Sequence, residues 1–175
     1  MTEFKKSPYR KDDFIKQIIE YKYTVDQIIN SSNEKLKQAI HDVGSFNFEY
    51  YFLKNQIASN KDRERFFYKE LSKQRKDWLS QNAGIKIYRD NFIVRPYGDV
   101  NSDAFDWLNL DGRRASSPAG AGKSSGGWKV GNKQGYGNVY ISRINNEKII
   151  DKSSREGIID NEYFTLFKQL IIGII

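Results

Sequence analysis

Two strand-like runs joined by a tight turn constrain the fold more than any other feature of this sequence. Residues 84–98 read GIKIYRDNFIVRPYG, in which β-branched and aromatic residues flank the pair Asp90-Asn91. Both residues of the pair tolerate the left-handed backbone that a two-residue hairpin turn requires. The run therefore predicts a β-hairpin.

The residues before Gly44 follow a helical period. Residues 10–43 carry apolar side chains at helical spacing and predict two helices. Asp12 can cap the first helix, and Ser31 or Ser32 can cap the second. Gly44 then ends the second helix.

After Gly44 the hydrophobic period changes. In residues 46–53 every second residue, from Phe46 to Phe52, is aromatic, and this alternation is typical of a β-strand. This change predicts a helical appendage over residues 1–44 and one α+β domain over residues 45–175.

The later segments continue the alternation of helix and strand. A charged amphipathic helix is predicted over residues 61–81, with Phe67, Leu71 and Trp78 on its apolar side. Beyond the hairpin, residues 99–135 are a long irregular stretch, residues 136–144 a strand and residues 145–159 a polar loop. The last predicted element is a helix over residues 160–175 that Asp160 caps. The order is β-α-β-β-β-α, which predicts an α+β fold with a mostly antiparallel sheet and additional N-terminal helices. The final residues, LIIGII, are so apolar that we expect the chain to continue or this helix to dock on a partner.

The composition excludes several classes of site. The 175 residues include no cysteine and one histidine, His41, so a disulfide framework and a thiolate zinc site are excluded. His41 fits the last turn of a helix better than a metal site. No apolar run reaches transmembrane length and no secretory segment opens the chain, so a cytoplasmic protein without a membrane partner is expected. The net charge of +7 fits solvated basic faces, or attraction to phosphate in nucleic acid.

A possible nucleotide-binding loop lies at residues 116–125, SSPAGAGKSS. Its ending matches G-x-x-x-x-G-K-[ST], but Ser117 stands where the pattern requires glycine. The flanking residues predict neither the preceding buried strand nor the following helix. Residues 115–133 are therefore predicted to be a mobile loop that binds no nucleotide.

A second loop carries the residues that we single out. Residues 151–161, DKSSREGIIDN, place Lys152 and Arg155 three positions apart between a strand and a helix. A guanidinium group remains charged and can stabilise charge that develops on a terminal phosphate. The alternative is structural: Arg155 forms an ion pair with Glu156 or Asp151 and fixes the loop.

Several segments together resemble a known family. GIKIYRDNFIVRPYG, DWLNLDGRR, GNVYISR and DKSSREGIIDNEYF are similar to the segment that follows the ATP-binding domain in bacterial GHKL ATPases, the superfamily of gyrase B, MutL and the ninety-kilodalton heat-shock chaperones. The resemblance covers residues 45–175 and is strongest in residues 84–98 and 150–164. It implies a transducer domain, which couples ATP hydrolysis in a neighbouring domain to conformational change.

The resemblance also implies a role for the second loop. Ser154-Arg155-Glu156 is similar to the Asn-x-Ser-Arg-Glu motif of the chaperones, whose arginine reaches the γ-phosphate, although Lys152 stands at the Asn position. Arg155 is the candidate catalytic residue, and Lys152 and Ser154 are candidate nucleotide-binding residues. ATP and Mg²⁺ are expected in the adjacent domain, because this chain lacks the Asp-x-Gly-x-Gly turn and the Asn-bearing helix of the nucleotide pocket. The chain is therefore not expected to be catalytic alone, and no metal ligands are predicted.

Two further partners are left open by the sequence. One is a second copy of the chain in a homodimer. The other belongs to the alternative function, in which the chain is a basic nucleic-acid-binding module without an ATPase role.

Overall fold

The chain forms an α+β structure, as the sequence predicts. A computed structural model describes residues 2–4, 22, 24, 33–52, 66–68, 72–117, 129–154 and 156–175. The strands are β1 (Thr2–Phe4), β2 (Asn47–Phe52), β3 (Phe66–Tyr68), β4 (Gly84–Arg89), β5 (Phe92–Val94) and β6 (Gly135–Ile141). The helices are α1 (Glu34–Val43), α2 (Lys73–Asn82), α3 (Leu110–Ala115) and α4 (Glu162–Ile174), together with a short 3-10 helix at Asn132–Gln134.

The main sheet has four strands in the order β2-β6-β4-β5. The two outer pairings, β2 with β6 and β4 with β5, are antiparallel, whereas the central strands β4 and β6 run parallel. The sheet is therefore mixed. Strands β1 and β3 form a separate antiparallel pair.

Strand β2 confirms the alternation seen in the sequence. Phe48, Tyr50 and Phe52 are half-buried, whereas the intervening residues are exposed. Phe48 and Tyr50 pack against the main hydrophobic core. The strand pairs along its whole length with β6, from Asn47 opposite Tyr140 to Phe52 opposite Gly135.

Helix α1 ends at Gly44 as predicted, but its cap differs. Asn33, rather than Ser31 or Ser32, accepts a hydrogen bond at its Oδ1 from the backbone N–H of Leu36, at 3.2 Å. An oxygen at this position reaches the N–H of the third helical residue. Helix α1 packs against helix α4.

The corner that follows α1 is held by a buried asparagine. The side-chain amide of Asn146 donates to the carbonyl oxygens of Val43 (2.7 Å) and Ser45 (3.1 Å), and its Oδ1 accepts from the backbone N–H of Ser142 (2.9 Å). Gly44 has φ +79°, and a Cβ atom there would collide with the carbonyl of Asn145. The chain can therefore enter β2 only because Gly44 has no side chain.

The predicted helix over residues 61–81 is wrong at residues 66–68. Residues 66–68 form strand β3 and pair with β1. Three consecutive aromatic residues have a high β-propensity, and a partner strand can override a helical pattern. Helix α2 begins at Lys73, where Ser72 Oγ accepts from the N–H of Arg75. Its buried residue is Leu79, and Trp78 is 48% exposed.

The predicted hairpin is confirmed. Asp90 and Asn91 connect β4 to β5 with φ values of 49° and 71°. These are the left-handed values of a two-residue hairpin turn. The backbone N–H of Asp90 also donates to the carbonyl of Ile141, which extends the contact between β4 and β6.

The connection from β5 to β6 supplies part of the core. Trp107 Nε1 donates to the carbonyl of Ile85 at 2.7 Å, while Leu108 and Leu110 are buried. Phe167 and Ile171 of helix α4 are fully buried against the same core. One face of the sheet is therefore covered by this connection and by helices α1 and α4.

Helix α4 is capped one residue later than predicted. Asn161 Oδ1, not a carboxylate oxygen of Asp160, accepts from the N–H of Phe164 at 2.9 Å. Asp160 instead pairs with Lys168 at 3.0 Å. Within the described ranges, no helix combines the length and the apolar character needed to cross a membrane.

Two predictions from the sequence fall outside the described residues. One is the first N-terminal helix, although its two described residues, Lys22 and Thr24, are not helical. The other is the glycine-rich loop, of which residues 118–128 lie there. The boundary at residue 44 between an appendage and a domain stays a prediction.

Two glycines should respond oppositely to alanine. Gly44→Ala should lower the free energy of unfolding by about 2 kcal/mol or more, because of its positive φ and the collision with Asn145. Gly173→Ala, with open space around the added Cβ in helix α4, should raise it by up to about 1 kcal/mol. Urea unfolding measures both. If both variants changed the free energy of unfolding equally, the backbone at Gly44 would be able to shift and accept a side chain, against this prediction.

The buried hydroxyl of Tyr50 should make the fold sensitive to alkali. It has no hydrogen-bond partner among the described residues, and burial raises its pKa above the usual value. The unfolded chain therefore ionises first as pH rises above about 10, and stability falls. Tyr50→Phe should leave stability at pH 7 unchanged or higher and reduce this alkaline loss. Tyr51→Phe, at an exposed position, is the control in pH-dependent thermal melts, and an equal response from both variants would contradict the prediction.

Candidate functional site

The loop with the motif Ser154-Arg155-Glu156 is closed at its base like a small hairpin. Asp151 and Ile158 form an antiparallel bridge. On either side of the bridge, the N–H of Lys152 donates to the carbonyl of Gly157 (2.9 Å), and the N–H of Ile159 donates to that of Ile150 (2.8 Å). We call residues 151–158 the motif loop. These backbone bonds leave residues 153–156 as a four-residue tip.

A buried arginine anchors one side of the motif loop. Arg89, at the end of β4, is only 7% exposed. Its guanidinium donates to the carbonyl of Ile149 at 2.7 Å, and its Nε lies 3.2 Å from Asp151 Oδ1. Nε and Oδ1 are not aligned for a hydrogen bond, and neither has another such partner among the described residues. The contact is therefore an ion pair with imperfect geometry.

The electrostatics of Arg89 follow from its position. Burial lowers the pKa of its guanidinium, Asp151 and Asp90 oppose this by raising it, and Arg143 lowers it further. An arginine remains protonated in spite of such shifts. Asp151 therefore faces a permanent positive charge, and losing one partner would leave the other poorly compensated.

Tyr97 anchors the other side of the motif loop. Its hydroxyl accepts from the backbone N–H of Ile158 at 2.9 Å and lies 3.5 Å from the carbonyl of the same residue. The ring packs against Trp107 and Phe164, with centroids 5.3 and 5.6 Å away. Burial raises the pKa of this hydroxyl, so it stays neutral at physiological pH.

The tip of the motif loop is exposed wherever it is described. The side chains of Ser153, Ser154 and Glu156 are accessible to solvent, and so is that of Lys152 beside the tip. Ser154 Oγ accepts a long hydrogen bond of 3.4 Å from the N–H of Glu156. Gly157 allows the turn with φ +96°. Arg155, the candidate catalytic residue, lies outside the described residues.

The surroundings of Asp151 bear on the structural alternative for Arg155. That alternative pairs Arg155 with Asp151 or Glu156. The carboxylate of Asp151 is already beside Arg89, so the first of these pairings would have to share it. The pairing with Glu156 is untested.

The motif loop offers a cation and hydroxyl groups to an anion. Lys152 makes no ion pair with any described residue, and Ser153 and Ser154 can donate hydrogen bonds. The described residues contain no group of three or more histidines, cysteines or carboxylates that could hold a metal ion. The described residues of the loop thus offer one cation and two hydroxyl groups, with the exposed carboxylate of Glu156 beside them.

Sequence reasoning missed the two residues that hold the motif loop. Arg89 occupies an inward position of β4, after Ile85 and Ile87, and this alternation could have marked it as a buried charge. Tyr97 gives no such signal, because its partner Ile158 lies 61 positions further along the chain. The Asp111-Gly112 pair of the segment DWLNLDGRR belongs to helix α3, where Asp111 Oδ1 accepts from the N–H of Asn132.

Comparison with known proteins adds no relative. No family model, curated protein or solved structure matches this chain. The resemblance to the GHKL ATPases therefore rests on the sequence segments quoted above and stays a prediction.

Removing the Tyr97 hydroxyl should loosen the motif loop without unfolding the sheet. Tyr97→Phe leaves the Ile158 N–H without its acceptor, which costs about 1–2 kcal/mol of local stability. Hydrogen exchange at the Ile158 amide should therefore accelerate about tenfold or more, while the amides of β4 and β6 keep their protection. Tyr163→Phe is a matched control, since that hydroxyl makes no hydrogen bond to a described residue. Uniform acceleration across the sheet would show that Tyr97 supports the whole fold instead.

Proposed function

We propose that this chain is the transducer domain of a GHKL-type ATPase. In this proposal Arg155 contacts the γ-phosphate of ATP that an adjacent domain binds together with Mg²⁺. Lys152 and Ser154 assist in holding the nucleotide. The chain supplies no nucleotide pocket of its own and acts in the cytoplasm, where ATP is available.

The observation that carries the proposal is the contrast between the base and the tip of the motif loop. Its base is fixed to buried groups through Arg89 and Tyr97, while the described tip residues face solvent. A residue that enters a site in another domain needs this combination, because pre-organised charge stabilises a transition state better than mobile charge. Phosphate binding by this loop would use exposed donors that no described residue engages.

The connections of the motif loop support a coupling role. Arg89 links it to the centre of the sheet. The Asn161 side chain, which caps helix α4, also donates to the carbonyl of Lys148 just before the loop. A displacement of the loop on ATP binding would therefore shift β4 and α4 as well. This is what a transducer requires, namely an element whose position depends on the nucleotide.

The finer topology belongs to the same proposal. Along the chain, the elements from β2 to α4 include the strand, helix, three strands and helix that the transducer order requires, with β3 and α3 as additions. A homodimer, in which two such chains accompany two ATP-binding domains, is compatible with it.

The test is the ATPase that contains this chain, or this chain combined with its ATP-binding partner domain. Arg155→Ala should lower the turnover number about a hundredfold, because one donor to developing charge is lost. Lys152→Ala should have a smaller effect. Steady-state hydrolysis at saturating Mg-ATP measures both, and the 175-residue chain alone should show no hydrolysis.

Arg143→Ala is the matched control for this experiment. Arg143 is an arginine 77% exposed whose contact with Asp90 is long, at 3.9 Å, so its removal should cost little. Thermal melts should show that all variants remain folded. Full turnover in Arg155→Ala, in Lys152→Ala and in the double variant would contradict the proposal and favour a loop-fixing ion pair for Arg155.

A further inference from the structure

The face of the sheet opposite the core carries a group of aromatic rings. Side chains alternate along each strand, and those opposite the buried positions of β2, β4 and β6 include four tyrosines. We define the aromatic face as these tyrosines and the tryptophan of helix α2 that contacts one of them: Tyr51, Tyr88, Tyr136, Tyr140 and Trp78.

The rings form two groups at separate positions along the strands. Tyr88 and Tyr140 lie on paired residues of β4 and β6 and stack, with centroids 5.5 Å apart and planes inclined by 27°. Tyr136 contacts Tyr51 at 6.3 Å and Trp78 at 5.3 Å. Tyr136 and Tyr140 are four residues apart on β6, so the groups are separated by roughly 13 Å.

Exposure shows that these rings do not form a second core. Tyr51 is 50% exposed and Trp78 is 48% exposed, while Tyr88, Tyr136 and Tyr140 are half-buried. The neighbouring positions are mainly polar: Asn47, Glu49, Lys86 and Asn138, with Ile93 at the edge. A face of tyrosine and polar residues with one aliphatic side chain suits a wet, polar ligand with flat rings better than a dry protein interface.

Positive charge accompanies the rings. Lys86 Nζ lies 4.9 Å from the centroid of the Tyr136 ring and donates to the carbonyl of Asn82. Arg75 is one helical turn before Trp78, so the two share a face of α2. The chain carries a net charge of +7. Glu49 is a carboxylate on the same face, and Asp99 is close enough to Lys86 to raise its pKa against the lowering by burial. The charge immediately around the rings is therefore mixed, and the positive excess belongs to the chain as a whole.

An unsatisfied acceptor lies between the two ring groups. Asn138, 7% exposed, stands opposite Glu49 and Lys86 in the middle row of the face. Its Oδ1 accepts no hydrogen bond from a described residue. This oxygen is buried, and the Asn138 side chain also interacts with the Tyr140 hydroxyl. Asn138 therefore adds a polar group to the middle of the aromatic face.

We propose that the aromatic face binds single-stranded nucleic acid, with bases stacked on the two ring groups and phosphates near Lys86 and Arg75. Every base has a flat face, so stacking of this kind requires little sequence preference. A duplex keeps its bases stacked on each other and cannot offer them to the rings. This inference is independent of the proposed ATPase role, because it uses the opposite face of the sheet from the core and none of the motif loop.

Fluorescence anisotropy with a labelled 20-nucleotide oligo-dT and an oligo-U of equal length tests the proposal on the complete chain. Both single strands should bind more tightly than a duplex of the same length. The logarithm of their association constant should fall linearly with the logarithm of the salt concentration. Tyr88→Leu/Tyr140→Leu should weaken it about tenfold or more, because Leu keeps an apolar side chain but offers no ring. Tyr88→Phe/Tyr140→Phe should retain it.

Controls separate stacking from general charge attraction and from misfolding. Phe92→Leu removes a ring that is 78% exposed but does not belong to the aromatic face, and it should leave binding unchanged. Thermal melts establish that the leucine variant is folded. If that variant is unfolded, photocrosslinking of a 4-thiouridine oligonucleotide to the unaltered protein decides, with crosslinks expected at the aromatic face.

Three outcomes would overturn the proposal. The first is no binding at low salt. The second is that duplex and single strand bind equally well and the leucine variant keeps this binding, which would show that charge attraction alone holds the nucleic acid. The third is concentration-dependent dimerisation that the folded leucine variant abolishes, without oligonucleotide binding, which would assign the face to a second copy of the chain.

Discussion

The parallel pairing of β4 with β6 is the constraint on which the rest of the structure depends. Parallel neighbours cannot be joined by a short turn, so the chain needs a long connection from the end of β4 to the start of β6. That connection contains strand β5, the turn with Tyr97, the segment around Trp107 and helix α3. It also includes residues 118–128, which lie outside the described ranges. Trp107 returns it to the sheet by donating to the carbonyl of Ile85. The long connection thus becomes a layer of the core.

The same pairing explains why the motif loop is attached to the centre of the sheet. Because β4 and β6 run in the same direction, the end of β4 lies beside the end of β6, from which the chain continues toward the motif loop. Arg89, the last residue of β4, therefore lies beside Ile149 and Asp151. A buried arginine is expensive to desolvate, and a well-packed apolar residue there would serve stability as well or better. Its presence is more readily explained by the position that it imposes on the loop than by stability.

Local patterns predicted local structure, and failed where distant residues decide. The hairpin turn at Asp90-Asn91, the alternation of β2 and the end of α1 at Gly44 all depend on neighbours in sequence and are confirmed. The pairing of β3 with β1 depends on a strand more than sixty residues away, and it replaced a predicted helix. The candidate site divides in the same way. Its sequence position between a strand and a helix was predictable, but its closure by Tyr97 and Arg89 joins residues about sixty positions apart. Nothing in the spacing of either residue indicates such a contact.

Strand β4 connects the two functional proposals, because its residues alternate between the two faces of the sheet. Ile85, Ile87 and Arg89 face the core and the motif loop, whereas Lys86 and Tyr88 face away from the core. The alternation is fixed by burial of the isoleucines, since a shift of one residue would place Lys86 and Tyr88 in the core. Substitutions on the aromatic face can therefore leave Arg89 and the motif loop in place. A nucleic acid on the aromatic face would contact β4 directly, whereas a phosphate at the motif loop would act on β4 through the contact of Asp151 with Arg89. Strand β4 is therefore the element through which one ligand could affect the other.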